Sequence, residues 1–327
     1  MSTFGDMVYH SGGAPVGLPV TFSNSPNKGA GQYWFVNVNT GSDGNTGKRM
    51  DKPLKTIAKA YELATTNNHD VIVLSANGAL AETDELAVTK NRLHFWGLDA
   101  VGRYLGQRTR WTMGVTTGTA IAVVQNTGVG NSFSNIKFDS SDTLSTSLYS
   151  FAEGGEYTVL ENCEIYKSTD LDQTTMAELL MNGDSAYIHK CYIGSTAAVK
   201  TVANTNVLLT RETITGKVAR DVIFEDCILG LNSTSATASH FHATTATDVE
   251  RMFLIKNSVM VVAKTSTATV GDAIIVDTAQ TDGQIIVMNS FNVNSTALGT
   301  TGSVGIMYAG YAVGVAGTAG NAVAVSD

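Results

Sequence analysis

One short template decides the fold, and it recurs as Glu161-Asn162-Cys163-Glu164-Ile165, His189-Lys190-Cys191-Tyr192-Ile193 and Glu225-Asp226-Cys227-Ile228-Leu229. Each copy has an apolar residue three positions before the cysteine and another two positions after it. The template returns without cysteine around Ile136, Ser258 and Ser290. An internal repeat of this kind indicates one structural unit stacked several times along the chain.

The spacing of the six copies selects the kind of repeat protein. Successive intervals are 27, 28, 36, 31 and 32 residues, which is too variable for an ankyrin or tetratricopeptide array. Alternating apolar residues send one set of side chains inward from a strand. Aligning the copies gives a fully apolar column and a second column that fails only at Asn292: Phe133, Leu160, Ile188, Phe224, Ile255, Val287 and Phe138, Ile165, Ile193, Leu229, Met260. These columns predict a β-solenoid.

Two further columns carry predictions of their own. The positions just before the cysteines hold Asn135, Asn162, Lys190, Asp226, Asn257 and Asn289. Asn and Asp tolerate the left-handed conformation, so this column is a candidate turn ladder. Cys163, Cys191 and Cys227 are too few and odd in number for a disulfide framework. We expect them to fill one inward column as reduced, unreactive thiols.

A differently built segment precedes the repeats. Apolar residues at positions 54, 57, 60, 61 and 64 follow a helical period, and Pro53 stands near the expected helix start. We predict a helix near residues 53–65. Such a helix would close one open end of a solenoid, which is the usual task of an atypical terminal repeat.

This opening resembles that of pectate-lyase-like right-handed parallel β-helix proteins. The resemblance is carried by Val38-Asn39-Thr40-Gly41-Ser42-Asp43-Gly44, Lys52-Pro53-Leu54-Lys55-Thr56-Ile57, Asp70-Val71-Ile72-Val73 and Leu93-His94-Phe95-Trp96-Gly97. It implies an all-β, right-handed parallel β-helix but little about function, because that fold hosts lyases, hydrolases, adhesins and phage proteins. The stretches 102–139 and 168–172 also resemble uncharacterised bacteriophage structural proteins.

Composition narrows the function classes. The 327 residues carry 21 Lys plus Arg against 29 Asp plus Glu, a net charge of -8, which argues against a nucleic-acid partner. The one basic stretch, Lys90, Arg92, Arg103, Arg108 and Arg110, is interpreted as a solvated face or a protein contact. No apolar run suits a membrane span or a signal peptide. We therefore expect a soluble chain made in a cytoplasm, and the resemblance to phage proteins implies that it is made in the host and located in the virion.

Candidate catalytic residues are sparse. The nearest carboxylate pairs, Asp139 with Asp142 and Asp170 with Asp172, lie in Ser/Thr-rich passages and are the candidates if the chain is an enzyme. The motifs that identify polygalacturonases are missing. His240 and His242 share one face of a strand, but no third metal ligand follows at a recognised spacing. His10, His69, His94 and His189 stand singly, so no role is assigned to them. No catalytic, cofactor-binding or metal-binding residue is therefore predicted.

The two ends depart from a plain β-helix. Residues 1–31 hold isolated apolar side chains without a period, which predicts an extended arm. Residues 283–326 contain no charged side chain, so this surface is expected to be covered. We divide the chain into an arm (1–31), a β-helix (32–297) and a Gly/Ala-rich segment for end-capping or oligomer contact (298–327).

Two functions follow from these features. The first is a non-enzymatic virion structural protein, a capsid decoration or spike component, that binds other virion proteins and forms a homo-oligomer, expected to be a trimer. The alternative is a carbohydrate-binding or carbohydrate-cleaving β-helix, such as a tailspike depolymerase acting on a host-surface glycan. The missing enzyme motifs, the arm and the uncharged terminal segment favour the first.

Overall fold

The computed structural model describes residues 31–75, 77–98, 109–113, 120–141, 146–168, 176–201, 203–210, 217–263 and 270–299, and the backbone of 306–309. In this part of the chain one helix, α1 (Ile57–Leu63), accompanies 26 strands arranged in three parallel sheets. The chain passes through sheets A, B and C in turn and then returns to sheet A, so each circuit is one coil. The fold is a right-handed parallel β-helix, as the repeats predict.

Strands are numbered in chain order. Sheet A contains β1 (Tyr33–Val36), β2 (Val71–Leu74), β5 (His94–Gly97), β8 (Ser132–Ser134), β11 (Val159–Glu161), β14 (Tyr187–His189), β17 (Ala219–Glu225), β20 (Val249–Lys256), β23 (Gly283–Met288) and β26 (Ile306–Ala309). Sheet B contains β3 (Ala79–Glu82), β6 (Arg110–Met113), β9 (Lys137–Ser140), β12 (Glu164–Lys167), β15 (Tyr192–Gly194), β18 (Ile228–Leu231), β21 (Val259–Val262) and β24 (Phe291–Val293). Sheet C contains β4 (Leu86–Val88), β7 (Val124–Asn126), β10 (Phe151–Glu153), β13 (Ala177–Met181), β16 (Thr205–Leu209), β19 (Ser239–Ala243), β22 (Asp272–Val276) and β25 (Ala297–Gly299).

The two columns of apolar residues that the repeats predict line the inside of the coil and form its core. In sheet A, Leu160 pairs with Phe133 on one side and Ile188 on the other, and the register continues to Val287. The sheet B column is likewise continuous, and Asn292 takes the place of an apolar residue in its last strand. The predicted registers are confirmed. Aromatic rings add to the core, with Phe95 stacked on Phe133 at a centroid distance of 4.8 Å.

The corner between sheets A and B is made by the residues before the cysteines. All six have positive φ, from 48° at Asn289 to 60° at Asn135. The left-handed conformation turns the chain sharply from one sheet to the next, and Asn and Asp adopt it more readily than other residues. Asn162 donates from Nδ2 to Oδ1 of Asn135 at 2.7 Å, which links two successive turns. The predicted turn ladder is confirmed, with Lys190 as its exception in residue type.

The cysteines follow this corner and point inward. Cys163, Cys191 and Cys227 are buried free thiols. The Sγ of Cys191 lies 3.5 Å from the carbonyl oxygen of Leu160 in the preceding coil. Burial raises the pKa of the Cys191 thiol well above its usual value, and the neighbouring cysteines add to the shift. The prediction of one inward column of reduced thiols is confirmed.

Helix α1 closes the first coil, but it begins later than Pro53 suggests. Thr56 is the N-cap and accepts from the Lys59 backbone N–H at 3.1 Å. Ile57 and Ala60 are buried against the core. Pro53 lies in the preceding loop rather than at a first helical position. The helix is therefore shorter than the predicted 53–65.

At the other end, sheets A and C continue past the boundary drawn at residue 297. Strands β25 and β26 extend the β-helix to Ala309, so the first part of the predicted terminal segment belongs to the sheets. The rest of that segment and all but the last residue of the arm predicted over 1–31 lie outside the described residues. Within the described part, no helix is long and apolar enough to cross a membrane.

Candidate functional site

Asp139 is the one predicted carboxylate that the described chain includes. It lies on β9 and faces outward, since its neighbour Phe138 is in the core. Its Oδ2 pairs with the Arg110 guanidinium of the preceding coil at 2.6 Å, and its side chain is only 4% exposed. Asp142, Asp170 and Asp172 lie outside the described residues. Asp139 is thus engaged by a cation rather than open to solvent.

A buried group of charges lies beside Asp139, where sheet B leads into sheet C. We call Tyr166, Lys167, Glu178 and Lys200 the corner cluster. Lys167 is fully buried and donates from Nζ to the Ser140 hydroxyl at 2.8 Å. The carboxylate of Glu178 accepts from the Lys167 backbone N–H, and Lys200 Nζ donates to the Lys167 carbonyl. These contacts tie two strands and a loop together at one corner.

Electrostatics within the corner cluster follow from burial. Burial raises the pKa of Glu178, although Lys200 and Lys167 act in the opposite direction. Burial also raises the pKa of Tyr166 to about 12, assisted by the nearby carboxylates of Glu178 and Asp139. An acid with a raised pKa beside lysines is an arrangement that enzymes use for proton transfer. Here Lys167, Glu178 and Lys200 are at most 3% exposed, so a polysaccharide chain cannot contact them in this conformation.

A second charged region follows the corner between sheets C and A. Glu156, Asp184, Arg220 and Glu250 stand in register on successive coils. Arg220 pairs with Asp184 and, at 3.5 Å, with Glu250, while Lys217 reaches Glu156 at 2.6 Å. Partial burial acts to raise the pKa of Asp184, but hydrogen bonds from Arg220 and Ser185 and the charges of Arg220 and Lys217 together outweigh it, so the pKa is lowered. A cavity of about 220 Å³ opens among these side chains, lined also by Val218, Thr247 and Asp282.

The outer face of sheet A carries an aromatic and acidic surface. The rings of Tyr187 and His189 lie side by side with centroids 5.3 Å apart. Tyr187 donates to Glu225 at 2.9 Å, and Lys256 pairs with the same carboxylate at 2.6 Å. Partial burial and Glu225 raise the pKa of Tyr187 to about 12. Lys256 and Tyr187 together hold the pKa of Glu225 below its usual value.

His240 and His242 share one face of β19, as their alternation predicts, but they have different environments. His240 is fully buried beside Asn206, and burial lowers its pKa to about 3. His242 pairs with Asp277 at the surface, with Nε2 and Oδ2 2.8 Å apart. Among the residues that the structure describes, no three His, Cys, Asp or Glu side chains are placed to hold a metal ion.

The charged residues that matter at these corners were missed because they are distant in sequence. Arg110 and Asp139 are 29 positions apart, and Lys167 lies one coil after Ser140, with which it is in register. Aligning the outward positions would have paired Lys167 with Ser140, whereas Arg110 is in register with Lys137 and reaches Asp139 diagonally. The basic stretch also has a specific role at Lys90, whose Nζ donates to the carbonyls of Tyr61 and Ala64 at the end of α1.

Similar solved structures share the fold. Pectate lyase Pel9A superimposes with a TM-score of 0.60 at 12% identity, covering 92% of this chain and 79% of its own. The pectin methylesterase PemA from Erwinia chrysanthemi gives 0.51 at 14% identity, with 90% and 91% covered. ORF18 of Geobacillus virus E2 gives 0.47 at 10% identity, with 80% and 58% covered. No protein-family model matches the chain, and neither does any curated protein. The fold is that of the pectate-lyase-like parallel β-helix proteins.

Proposed function

We propose that the chain is a bacteriophage virion structural protein, a capsid decoration or spike component, that acts through protein–protein contacts rather than through carboxylate catalysis. The observation that carries the proposal is a change in the outer surface along the β-helix. On sheet B one outward column begins with Ala79 and continues with the charged residues Arg110, Lys137 and Glu164. In the last coils the same column holds Ile228, Val259 and Phe291.

Sheet A carries apolar residues at both ends of its outward column. The column holds Tyr33 and Val71 in the first coils, then His94 and Ser132, and later Ile223, Leu254 and Ile286. Val71 is buried in a separate cluster with Val73 and Trp96, whereas the three late residues are half-buried. We call these two late sets the apolar columns: Ile223, Leu254, Ile286, Ile228, Val259 and Phe291. Phe291 is 53% exposed. Partly exposed apolar side chains gathered on the late coils favour a contact with another protein.

The charged residues support the same role. Lys137 pairs with Glu164, Arg110 with Asp139 and Lys256 with Glu225, each between successive coils. Such pairs reinforce the stacking of the rod. The sequence resemblance of residues 102–139 and 168–172 to phage structural proteins points to a virion as the assembly, and a homotrimer is the oligomer that we expect.

The experiment is to purify particles from infected cells and count copies of this chain per virion by quantitative mass spectrometry. Light scattering on the isolated protein gives its mass in solution. A fixed stoichiometric copy number with an oligomeric mass supports the proposal. A protein that is absent from particles and remains monomeric contradicts it.

One observation favours a carbohydrate-binding function as the second candidate. The exposed surface formed by Tyr187, His189, Glu161 and Glu225 offers ring faces and carboxylate acceptors of the kind that contact sugar hydroxyls. Glycan-array binding that disappears in Tyr187→Ala, or release of new reducing ends from an acidic polysaccharide, would replace the virion proposal with this one.

A further inference from the structure

Two histidines that stand singly in the sequence are in contact in the structure. His69 Nδ1 lies 3.0 Å from His94 Nε2. The ring planes are within 11° of each other and the centroids are 5.3 Å apart, so the rings meet edge to edge through these nitrogens. The other nitrogen of His94, Nδ1, lies 2.7 Å from the Ser132 hydroxyl. His69 and His94, which stand singly in the sequence, are thus joined with Ser132 in one line of contacts.

Three successive coils build this line of side chains. His94 and Ser132 are directly paired on β5 and β8, and both face outward because Phe95 and Phe133 fill the core. His69 comes from the turn that leads into β2, the strand before β5 in sheet A. His69 and His94 are 25 positions apart and His94 and Ser132 are 38 positions apart, yet two hydrogen bonds connect the three side chains.

The turn holds His69 in a conformation that a histidine adopts at a cost. Its φ is 56°, in the left-handed region. The adjacent Asp70 is buried and accepts hydrogen bonds from the Gln32 and Thr65 backbone N–H groups and from Trp34 Nε1. Four contacts on one carboxylate, including Asn68 Nδ2 at 2.7 Å, fix this turn and with it the position of His69.

We propose that Ser132, His94 and His69 form a hydrolytic site for small carboxylic esters, with Ser132 as nucleophile, His94 as general base and His69 as the residue that positions His94. A nucleophile bonded to a base that is oriented by a third group is the recurring arrangement of nucleophilic catalysis. This site goes beyond the proposed virion role and does not depend on it.

The proposal needs one of the two orders of donors and acceptors that these contacts allow. In this order Ser132 Oγ–H donates to His94 Nδ1, which leaves the His94 proton on Nε2, where it donates to His69 Nδ1. Burial, and then the neighbouring His69, lower the pKa of His94, so His94 is neutral at pH 7 and able to accept a proton. Each member therefore has the protonation state that its role requires.

The reaction has two balanced steps. Ser132 Oγ attacks the ester carbonyl carbon while its proton passes to His94 Nδ1, and that proton then leaves with the alcohol, so that an acyl-serine forms. Water attacks the acyl-serine, gives one proton to His94, and releases the carboxylic acid as the proton returns to Ser132 Oγ. No oxidant, metal or cofactor is consumed.

The surroundings favour small esters over amides. Ser132 is half-buried, and the half-buried Val159 stands directly opposite it in the next coil, where a short acyl chain would rest. The Ser132 backbone N–H already donates to the Leu93 carbonyl at 3.0 Å, so it does not stabilise an oxyanion. A neutral histidine orients the base with less electrostatic support than an aspartate would. We expect an acceleration of about 10²–10⁴-fold, the range of general base catalysis.

The experiment measures hydrolysis of p-nitrophenyl acetate by the full chain, with a fluorophosphonate probe and peptide mass spectrometry to locate the modified residue. Ser132→Ala should abolish both activity and labelling, and His94→Gln should reduce the rate at least 100-fold. Ser134→Ala is the matched control, because Ser134 is the next outward serine on the same strand. Its activity should equal that of the unchanged protein.

The role of His69 has its own readout. His69→Gln keeps a hydrogen-bond acceptor but removes the second imidazole, which lowers the pKa of His94, so the inflection of the pH–rate profile should move to higher pH. Unchanged melting temperatures would show that the variants are folded. Labelling at a residue other than Ser132, full activity in folded Ser132→Ala, or hydrolysis no faster than with free imidazole would overturn the site. Virion copy number is unaffected by any of these results, so the two proposals fail separately.

Discussion

At the scale of single residues, the corner between sheets A and B makes the clearest prediction. Lys190 has φ 51° and occupies a column otherwise made of Asn and Asp. A lysine in the left-handed region costs about 1 kcal/mol more than an asparagine. Lys190→Asn should therefore raise the free energy of unfolding by about 1 kcal/mol in urea titrations. Asn257→Lys, the reverse change at φ 50°, should lower it by a similar amount.

Glu153 predicts how stability depends on pH. It is fully buried, and burial raises its pKa from 4.5 to about 7, against hydrogen bonds from Asn126 and the Gly155 N–H. Between pH 4.5 and 7 the folded state binds the proton more tightly than the unfolded state, so stability falls as pH rises through this window. The loss should reach at most about 3 kcal/mol above pH 7.

Urea titrations from pH 4 to 8 measure this loss. In Glu153→Gln the free energy of unfolding should depend less on pH across that window than it does in the unchanged protein. Parallel curves for Glu153→Gln and the unchanged protein would show that Glu153 does not titrate between these limits.

At the scale of elements, helix α1 depends on a lysine from the next coil. Lys90 Nζ donates to the carbonyls of Tyr61, Glu62 and Ala64 at 2.6, 3.0 and 2.7 Å. These are the orphan carbonyls at the end of a helix, and a cation there also complements the helix dipole. Lys90→Met should lower the free energy of unfolding by about 1–2 kcal/mol. Lys59→Met, which removes only a surface pair with Glu62, should cost a few tenths.

The elements also show how far the sequence determines the structure. The strand registers were predictable because each coil repeats the same alternation, so aligning Cys163, Cys191 and Cys227 aligned every neighbour. The start of α1 was not, because its first N–H groups are satisfied by distant carboxylates. Asp43 accepts from the Lys55 and Thr56 N–H groups, and Glu82 accepts from that of Ile57. Local signals such as Pro53 cannot report such partners.

The candidate sites follow the same logic. The sequence search looked for carboxylates close together in one loop, whereas stacked coils bring together residues about one coil length apart. Arg110 meets Asp139 diagonally across two neighbouring strands, and His94 meets Ser132 directly in register, only because parallel strands stack. Motif searches therefore miss groups of side chains that a β-helix brings together from different coils. Such groups are found by comparing the outward residues of successive strands in each sheet.

At the scale of the whole molecule, the rod differs from one end to the other, and this difference leads to the last prediction. The early coils carry charged outward residues on sheet B and a buried outward cluster of Val71, Val73 and Trp96 on sheet A, while the late coils carry the apolar columns. In the described part of the chain, sheets B and C end in the edge strands β24 and β25. An unpaired strand edge beside an apolar surface favours association unless another chain covers it. Assembly contacts should therefore concentrate at the late coils.

Phe291→Arg tests this directly, because Phe291 is the most exposed of the apolar columns and its side chain makes no contribution to the inner core. The variant should fold with an unchanged melting temperature, yet its mass in solution should fall to that of a monomer and its incorporation into particles should drop at least tenfold. A charge buried without a partner in an interface costs several kcal/mol, which is ample for that loss. Tyr157→Arg, at a residue 63% exposed near the corner between sheets C and A, is the matched control and should assemble normally. If Phe291→Arg assembles as well as Tyr157→Arg, the contacts lie elsewhere on the rod.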